Sequence, residues 1–408
     1  MGSLGRQFEW LWAAYGISAL GTWLAFDAFG LVAIQVLHAG PGAVSGLAAA
    51  GLAVGAALAV PLGPWLEFRR KRPTMIAMDL LRFILLLSVP AAYALDLLTF
   101  GQLLIVSVLT AAADIACTAA TGSYLKMLVP QENLLAANGR FESTAWTTTM
   151  LGPPLGGAAI ALFGPVVTVT ANAISFLLSA VGLHAIGGQE PSPPPRTTTP
   201  RTRDLLTGWH CLLSHPTLRP LLLNASLVNG LIMATAPLMA VLMLTQLGFA
   251  TWQYCLAFAA PCLGGLLGSR LARPLVGRFG PQRVLRGAGA LRACWLIGLP
   301  FVQPGAVGLL LVMVVELGLI TCCGVFNPVL ATTRLELLPA DRVVRALSAW
   351  SITTKAGTAA LTGLWGLIAT LIGTRPALVL AGLLVLASPL LLPRRSTMLH
   401  RESVTSRP

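Results

Sequence analysis

The sequence predicts an all-α polytopic membrane protein, with twelve transmembrane helices in two pseudo-symmetric six-helix bundles. Three observations predict it. Long apolar runs succeed one another through 408 residues that are 56% hydrophobic and only 10% charged, whereas a soluble domain carries about 25% charged residues. Of the 27 Lys and Arg residues, all but Arg375 fall on one side of an alternating pattern of connections. The two halves of the chain also share a set of spaced residues.

Each spanning helix needs roughly 20 apolar residues to cross about 30 Å of hydrocarbon. Runs of this kind lie near 10–37, 42–66, 74–95, 101–129, 141–163 and 166–187 in the first half. The second half has them near 218–247, 251–273, 284–303, 307–334, 346–371 and 376–393. The runs are continuous rather than alternating, which favours helices over a barrel. Every second connection is basic: Arg69–Arg72, Lys126 with Arg140, Arg196–Arg219, Arg270–Arg286, Arg334–Arg345, and the tail from Arg394. Cytoplasmic loops are enriched in Lys and Arg, so the pattern places both termini in the cytoplasm of a cell (inner) membrane protein. It also accounts for the formal net charge of +13 without nucleic acid as a partner.

The expected organisation is an N-terminal bundle over 1–188, a cytoplasmic linker over 189–217, a C-terminal bundle over 218–393 and a tail over 394–408. The linker begins with the Pro-, Thr- and Arg-rich stretch Gln189–Arg203, which suits a flexible connection. An offset of about 210 residues aligns the bundles: Leu81-Arg82 with Leu291-Arg292, Pro64 with Pro274, and Leu128-Val129-Pro130 with Leu337-Leu338-Pro339. Two similar bundles around a midplane cavity are typical of secondary transporters.

Several chemistries find no support. The seven cysteines include no C-x-x-C pair and the five histidines have no ligand spacing, so neither a metal site nor a disulfide framework is indicated. The cysteines read as small packing residues. No Walker loop or nucleophile elbow appears, and no cofactor or enzymatic activity is expected.

Between the second and third spans runs Gly63-Pro64-Trp65-Leu66-Glu67-Phe68-Arg69-Arg70-Lys71-Arg72. The matching loop of the second half includes Arg278, Gly280 and Arg283. The first resembles the G-x-L-a-D-R-x-G-R-R loop of the major facilitator superfamily, with Glu67 for the acid and Phe68 for the first Arg. The fifth span carries Gly152-Pro153-Pro154-Leu155-Gly156-Gly157, similar to the G-P-x-x-G-G motif of that superfamily's proton-coupled drug antiporters, although Thr148 stands where a further Gly is expected. Ser18-x-Leu20-Gly21, Asp79-x-x-Arg82, Ala136-Ala137-Asn138-Gly139 and Asn172-Ala173-x-Ser175-Phe176 resemble the macrolide-efflux and enterobactin-exporter-like branch. The resemblance implies a gating function for the basic loops and a cavity lined by spans 1, 4, 7 and 10. As plain chemistry, Gly and Pro in a membrane helix permit close approach and a kink.

Charges inside a membrane cost roughly 2.5–3.5 kcal/mol each at a helix centre and commonly mark function. Asp27, Asp114 and Glu316 are the acids expected within spans. Around Asp114, Ser107, Thr110, Thr118 and Thr121 recur at helical spacings, which puts a polar stripe on one face and makes Asp114 the leading proton carrier. Trp23 precedes Asp27 by one turn and pairs an aromatic ring with an acid, an arrangement that suits a lipophilic cation. Lys355 lies well inside the eleventh span, where it pairs with an acid such as Glu316 or snorkels to the interface. Asp79 and Arg82, spaced i and i+3, are expected to form a structural ion pair. The expected function is export of a small, lipophilic compound (drug, antibiotic or siderophore-like) by proton antiport with alternating access, by a monomer in the lipid bilayer. The alternatives are proton-coupled import of a small metabolite and a membrane sensor.

Overall fold

The computed structural model describes residues 4–25, 28–37, 54, 57, 66, 68–188, 190, 206–339 and 341–393. Within these residues the regular structure is helical and no strand occurs. Among the described residues, eight helices are long and apolar enough to cross a membrane, and all eight fall on predicted spans. The predicted span at 42–66, the linker stretch 191–205 and the tail from 394 lie outside the described residues.

The first half contains α1 (Arg6–Leu24), α2 (Ala28–Gln35), α3 (Lys71–Ala94), α4 (Phe100–Leu128), α5 (Leu134–Phe163) and α6 (Pro165–His184). A short α7 (Thr207–Ser214) leads into α8 (Leu218–Ala240), α9 (Thr251–Ala259), α10 (Cys262–Phe279) and α11 (Pro281–Ala293). Then come α12 (Ala306–Leu337), α13 (Val343–Ile372) and α14 (Thr374–Ala387). The chain divides into two compact units. One comprises residues 1–208 with 338–352, and the other 209–337 with 353–408.

Local chemistry explains where the spans break. The run predicted over 251–273 is two helices, because Pro261 sits between α9 and α10 and has no N–H to continue the ladder. Near the end of α8, Pro237 precedes a π turn over Val241–Gln246, the wider ladder that occurs mostly as single turns within α-helices. The ninth span is α11 followed by a 3-10 turn, Leu296–Phe301, which contains Pro300. Two sharp helix-to-helix joints use the same device, a glycine in the left-handed region followed by proline. Gly164 (φ +83°) precedes Pro165, and Gly280 (φ +81°) precedes Pro281. Glycine alone enters that region without steric cost, and proline is preset for the first helical turn.

In the first unit α3 packs on α6 and α4, while α1 packs on α6 and α5. Its apolar core joins Ala28 and Val32 of α2, Leu86 and Val89 of α3, Leu103 and Val106 of α4, and Val169, Ala173 and Phe176 of α6. Very close helix approaches occur at glycines. An added Cβ at Gly21 of α1 would meet the Ser175 side chain of α6, and one at Gly156 of α5 would meet the Leu24 carbonyl of α1. Two of the motif segments singled out in the sequence are thus helix-packing seams. In the second unit α12 packs against α10 and α11, again through glycines: a Cβ at Gly268 would meet the Thr321 carbonyl, and one at Gly324 the Gly265 carbonyl.

Candidate functional site

The strongest concentration of buried polar chemistry in the first unit centres on Arg82. Its Nη2 donates to Asp79 Oδ1, one helical turn back on α3, at 2.5 Å. Its Nη1 reaches Asp114 Oδ1 on α4 at 3.4 Å. The guanidinium lies 4.2 Å from the centroid of the Phe176 ring on α6, a cation–π contact. Asp79 is held from its other side by α6, where Ser179 Oγ donates to Oδ2 at 2.7 Å. The Cys117 thiol, on α4, sits 3.9 Å from Asp79 Oδ1.

Exposure separates the two carboxylates. The side chains of Arg82 and Asp79 are 6% and 2% exposed, but that of Asp114 is 46% exposed. Arginine keeps its proton under all ordinary conditions, so with Asp79 ionised the inner pair is electrically neutral. Asp114 then carries the cluster's remaining charge. With all three groups charged the triad bears a single net negative charge, and Asp114 is its accessible carboxyl.

A second ring of groups surrounds this triad. Tyr15 of α1 is in electrostatic range of both Asp114 and Glu142 of α5, and its ring packs edge-on against Phe141 at 4.8 Å. Trp146 Nε1 donates to Glu142 Oε1 at 2.9 Å. Nearby, Arg140 pairs with Glu9 and lies over the Phe8 and Trp12 rings, so α1 and α5 are tied by charge as well as by packing. Sequence reasoning passed over Tyr15 and Glu142 and read Cys117 only as a small packing residue. The i+3 and i+4 spacings of Cys117 from Asp114 and of Trp146 from Glu142 were available signals. The convergence of five helices was not.

The second unit repeats one feature of this design. Arg292, offset from Arg82 by 292 − 82 = 210 residues, is also on a helix that packs beside the unit's central long helix, and it is fully buried. It lies 3.7 Å from the Phe326 centroid and donates through Nη2 to Asn224 Oδ1 at 2.5 Å. Asn224 Nδ2 donates in turn to the Ser388 carbonyl at 2.8 Å. Glycines stand where the acids of the first unit would fall, Gly289 against Phe326 and Gly324 against Gly265. Glu316, on α12, is 7% exposed.

Trp23 ends α1 against Gly152 of α5: a Cβ at Gly152 would meet Trp23, just as one at Gly156 would meet Leu24, while Gly157 faces open space. Pro153 lies within α5 between them. Asp27, Gly63 and Glu67 lie outside the described residues. The described part of the first basic loop is a set of helix caps. Glu190 accepts from the backbone N–H groups of Lys71 and Arg72, which open α3. Lys71 Nζ donates to the carbonyls of Leu66 and Arg69 at 2.9 and 2.8 Å. Arg72 reaches the carbonyls of Leu183 and His184 at the end of α6, at 3.0 and 2.6 Å. Arg69 and Arg70 are exposed, as are Arg278 and Arg283. Lys355 is half-buried on α13. Arg375, the one exception to the charge alternation, donates to the carbonyls of Pro300 and Val302 at 2.8 and 2.7 Å and so closes the 3-10 turn.

The chain is an integral membrane protein with charged side chains held inside both of its helical units. It belongs to the Major Facilitator Superfamily, whose sequence profile matches residues 11–333, and it is accordingly a membrane transporter. Solved structures with the same fold include a bacterial homologue of the iron transporter ferroportin in an outward-facing state (17% identity, TM-score 0.79, covering 95% of this chain and 98% of that one). The human organic anion transporter MFSD10 (TETRAN) is also similar (15% identity, TM-score 0.74, 94% and 99% coverage). So is the E. coli fucose:proton symporter FucP (13% identity, TM-score 0.70, 95% and 98% coverage). No curated protein matches the sequence.

Proposed function

We propose that this transporter exports a small, lipophilic compound from the cytoplasm in exchange for protons, and that Asp114 is the group that carries the proton. The observation that carries this reading is the Asp79–Arg82–Asp114 triad: a neutral, buried inner pair with one accessible carboxyl beside it. Protonation of Asp114 removes its attraction for Arg82 and for a cationic or polar substrate group. Deprotonation restores both, so proton occupancy and substrate occupancy oppose each other at a single carboxyl.

The export direction is supported by the Gly152–Gly157 segment of α5, which resembles the motif of drug antiporters and packs against Trp23 and Leu24 at the end of α1. The branch of macrolide-efflux and enterobactin-exporter-like proteins, a location in the cell (inner) membrane, cytoplasmic termini and a monomeric state complete the reading. The twelve spans with bundles over 1–188 and 218–393 give it an alternating-access frame.

The test uses everted membrane vesicles energised to an acid interior, with the lipophilic cation ethidium as probe. Wild-type protein accumulates ethidium in the vesicles, and Asp114→Asn, present in the membrane at the same level, does not. Undiminished uptake by Asp114→Asn removes Asp114 from the mechanism. Protons and probe moving in the same direction would turn the account from antiport to symport.

A further inference from the structure

Two carboxylates share one guanidinium in the triad, and α6 treats them differently. Arg82 reaches both, Asp79 Oδ1 at 2.5 Å and Asp114 Oδ1 at 3.4 Å. Asp79 is also held on its second oxygen, where Ser179 Oγ donates to Oδ2 at 2.7 Å. Phe176 and Ser179 lie one turn apart on α6, so one helix face sets a ring against the guanidinium and a hydroxyl against the carboxylate. Ser179 is 3% exposed and the Asp79 side chain 2%, so water has little access to replace that hydroxyl. A buried carboxylate is costly unless hydrogen bonds hold it, and bonds to an ionised group are the strong ones. The other titratable groups at the cluster come from its remaining helices. Cys117 of α4 approaches Asp79 Oδ1 at 3.9 Å and is a weak donor. Tyr15 of α1 lies in electrostatic range of Asp114 and of Glu142 on α5. The α2 segment carries no titratable group, and on α6 the one such group, His184, ends the helix.

We propose that Ser179 is a positioning residue: by donating to Asp79 from α6 it keeps that acid ionised against Arg82, and so leaves the triad's proton to Asp114. The proposal rests on the reading of Asp114 as the proton carrier given above. The proton comes from water and returns to it, and Ser179 keeps its own hydroxyl proton throughout. Without the hydroxyl, the proton moves to the enclosed acid of the pair.

Two measurements on the full chain in lipid test this. Asp114→Asn leaves Asp79 as the one acid of the triad, and infrared spectroscopy follows its C=O band as the pH is lowered. Adding Ser179→Ala to that variant is expected to raise the pH at which the band appears by about one unit. Adding Ser179→Thr, which keeps a hydroxyl, is expected to leave it unmoved. An unchanged titration with Ser179→Ala would overturn the proposal, as would a loss of folded protein without a titration shift, the mark of a purely structural hydroxyl. In vesicles, Ser179→Ala alone is expected to shift the pH profile of ethidium uptake upward and Ser179→Thr to restore it; a shifted band with an unmoved profile would overturn the role in transport. If wild-type uptake ignores the pH gradient, the antiport reading fails, while the infrared titration still decides whether Ser179 holds Asp79 ionised.

Discussion

Arg82 shows how far single residues could be read. Asp79 and Arg82 one turn apart were visible in the sequence as a local pair, and Asp114 as an acid in a membrane span. Nothing in either segment said that the two would meet, because the meeting depends on α3 packing against α4. The consequence is a division of labour that a substitution series exposes. Asp79→Asn strips Arg82 of its 2.5 Å partner in a buried setting and is expected to destabilise the protein by about 3–5 kcal/mol, read as a large fall in the thermal unfolding temperature in detergent. Asp114→Asn, at a half-exposed site, leaves that temperature close to wild type while transport coupling is lost. Equal thermal effects from the two substitutions would contradict the assignment of an inner structural pair and an outer working acid. Glu190 makes a parallel case. It lay in what the sequence presented as the start of a linker, yet it caps α3 from 118 residues away. Glu190→Gln weakens that cap, with an expected cost of about 0.5–2 kcal/mol.

At the scale of elements, the apolar runs located the helices well, and all eight long apolar helices fall on them. Their internal breaks were less legible. A hydropathy run does not distinguish one helix from two when the separating residue is a proline flanked by apolar side chains, as at Pro261. The G-P-x-x-G-G segment was legible as a motif, but its physical content appears only in packing. Gly152 and Gly156 lie one turn apart on α5 and admit α1 at van der Waals distance, while Gly157 points into open space. Gly156→Val is therefore expected to abolish transport and lower the yield of folded protein, because its side chain would meet the Leu24 backbone. Gly157→Ala is expected to be tolerated and to stabilise α5 by up to about 1 kcal/mol from helix propensity. Thermal unfolding and ethidium uptake measured side by side check both. Arg375 belongs to the same scale. Arg375→Ala frees two carbonyls at the end of a 3-10 turn and is expected to cost about 1–3 kcal/mol without changing proton coupling.

For the whole molecule, the alternation of basic and neutral connections was the most legible feature, and the offset of about 210 residues between Arg82 and Arg292 was the next. The duplication carried an arginine over a phenylalanine ring into both units but acids into one, so the halves share a scaffold and differ in charge. Positive-inside topology predicts that alkaline phosphatase fused after residue 408 stays inactive while a fluorescent protein at the same point is bright. The reverse pattern would invert the proposed direction of transport. The central claim is that one accessible acid couples protons to substrate, and a single comparison tests it most directly. Proteoliposomes carrying wild type or Asp114→Asn are assayed for ethidium exchange without a pH gradient and for ethidium accumulation with one. The account predicts that Asp114→Asn retains exchange and loses gradient-driven accumulation. Accumulation by Asp114→Asn at the wild-type level would contradict it.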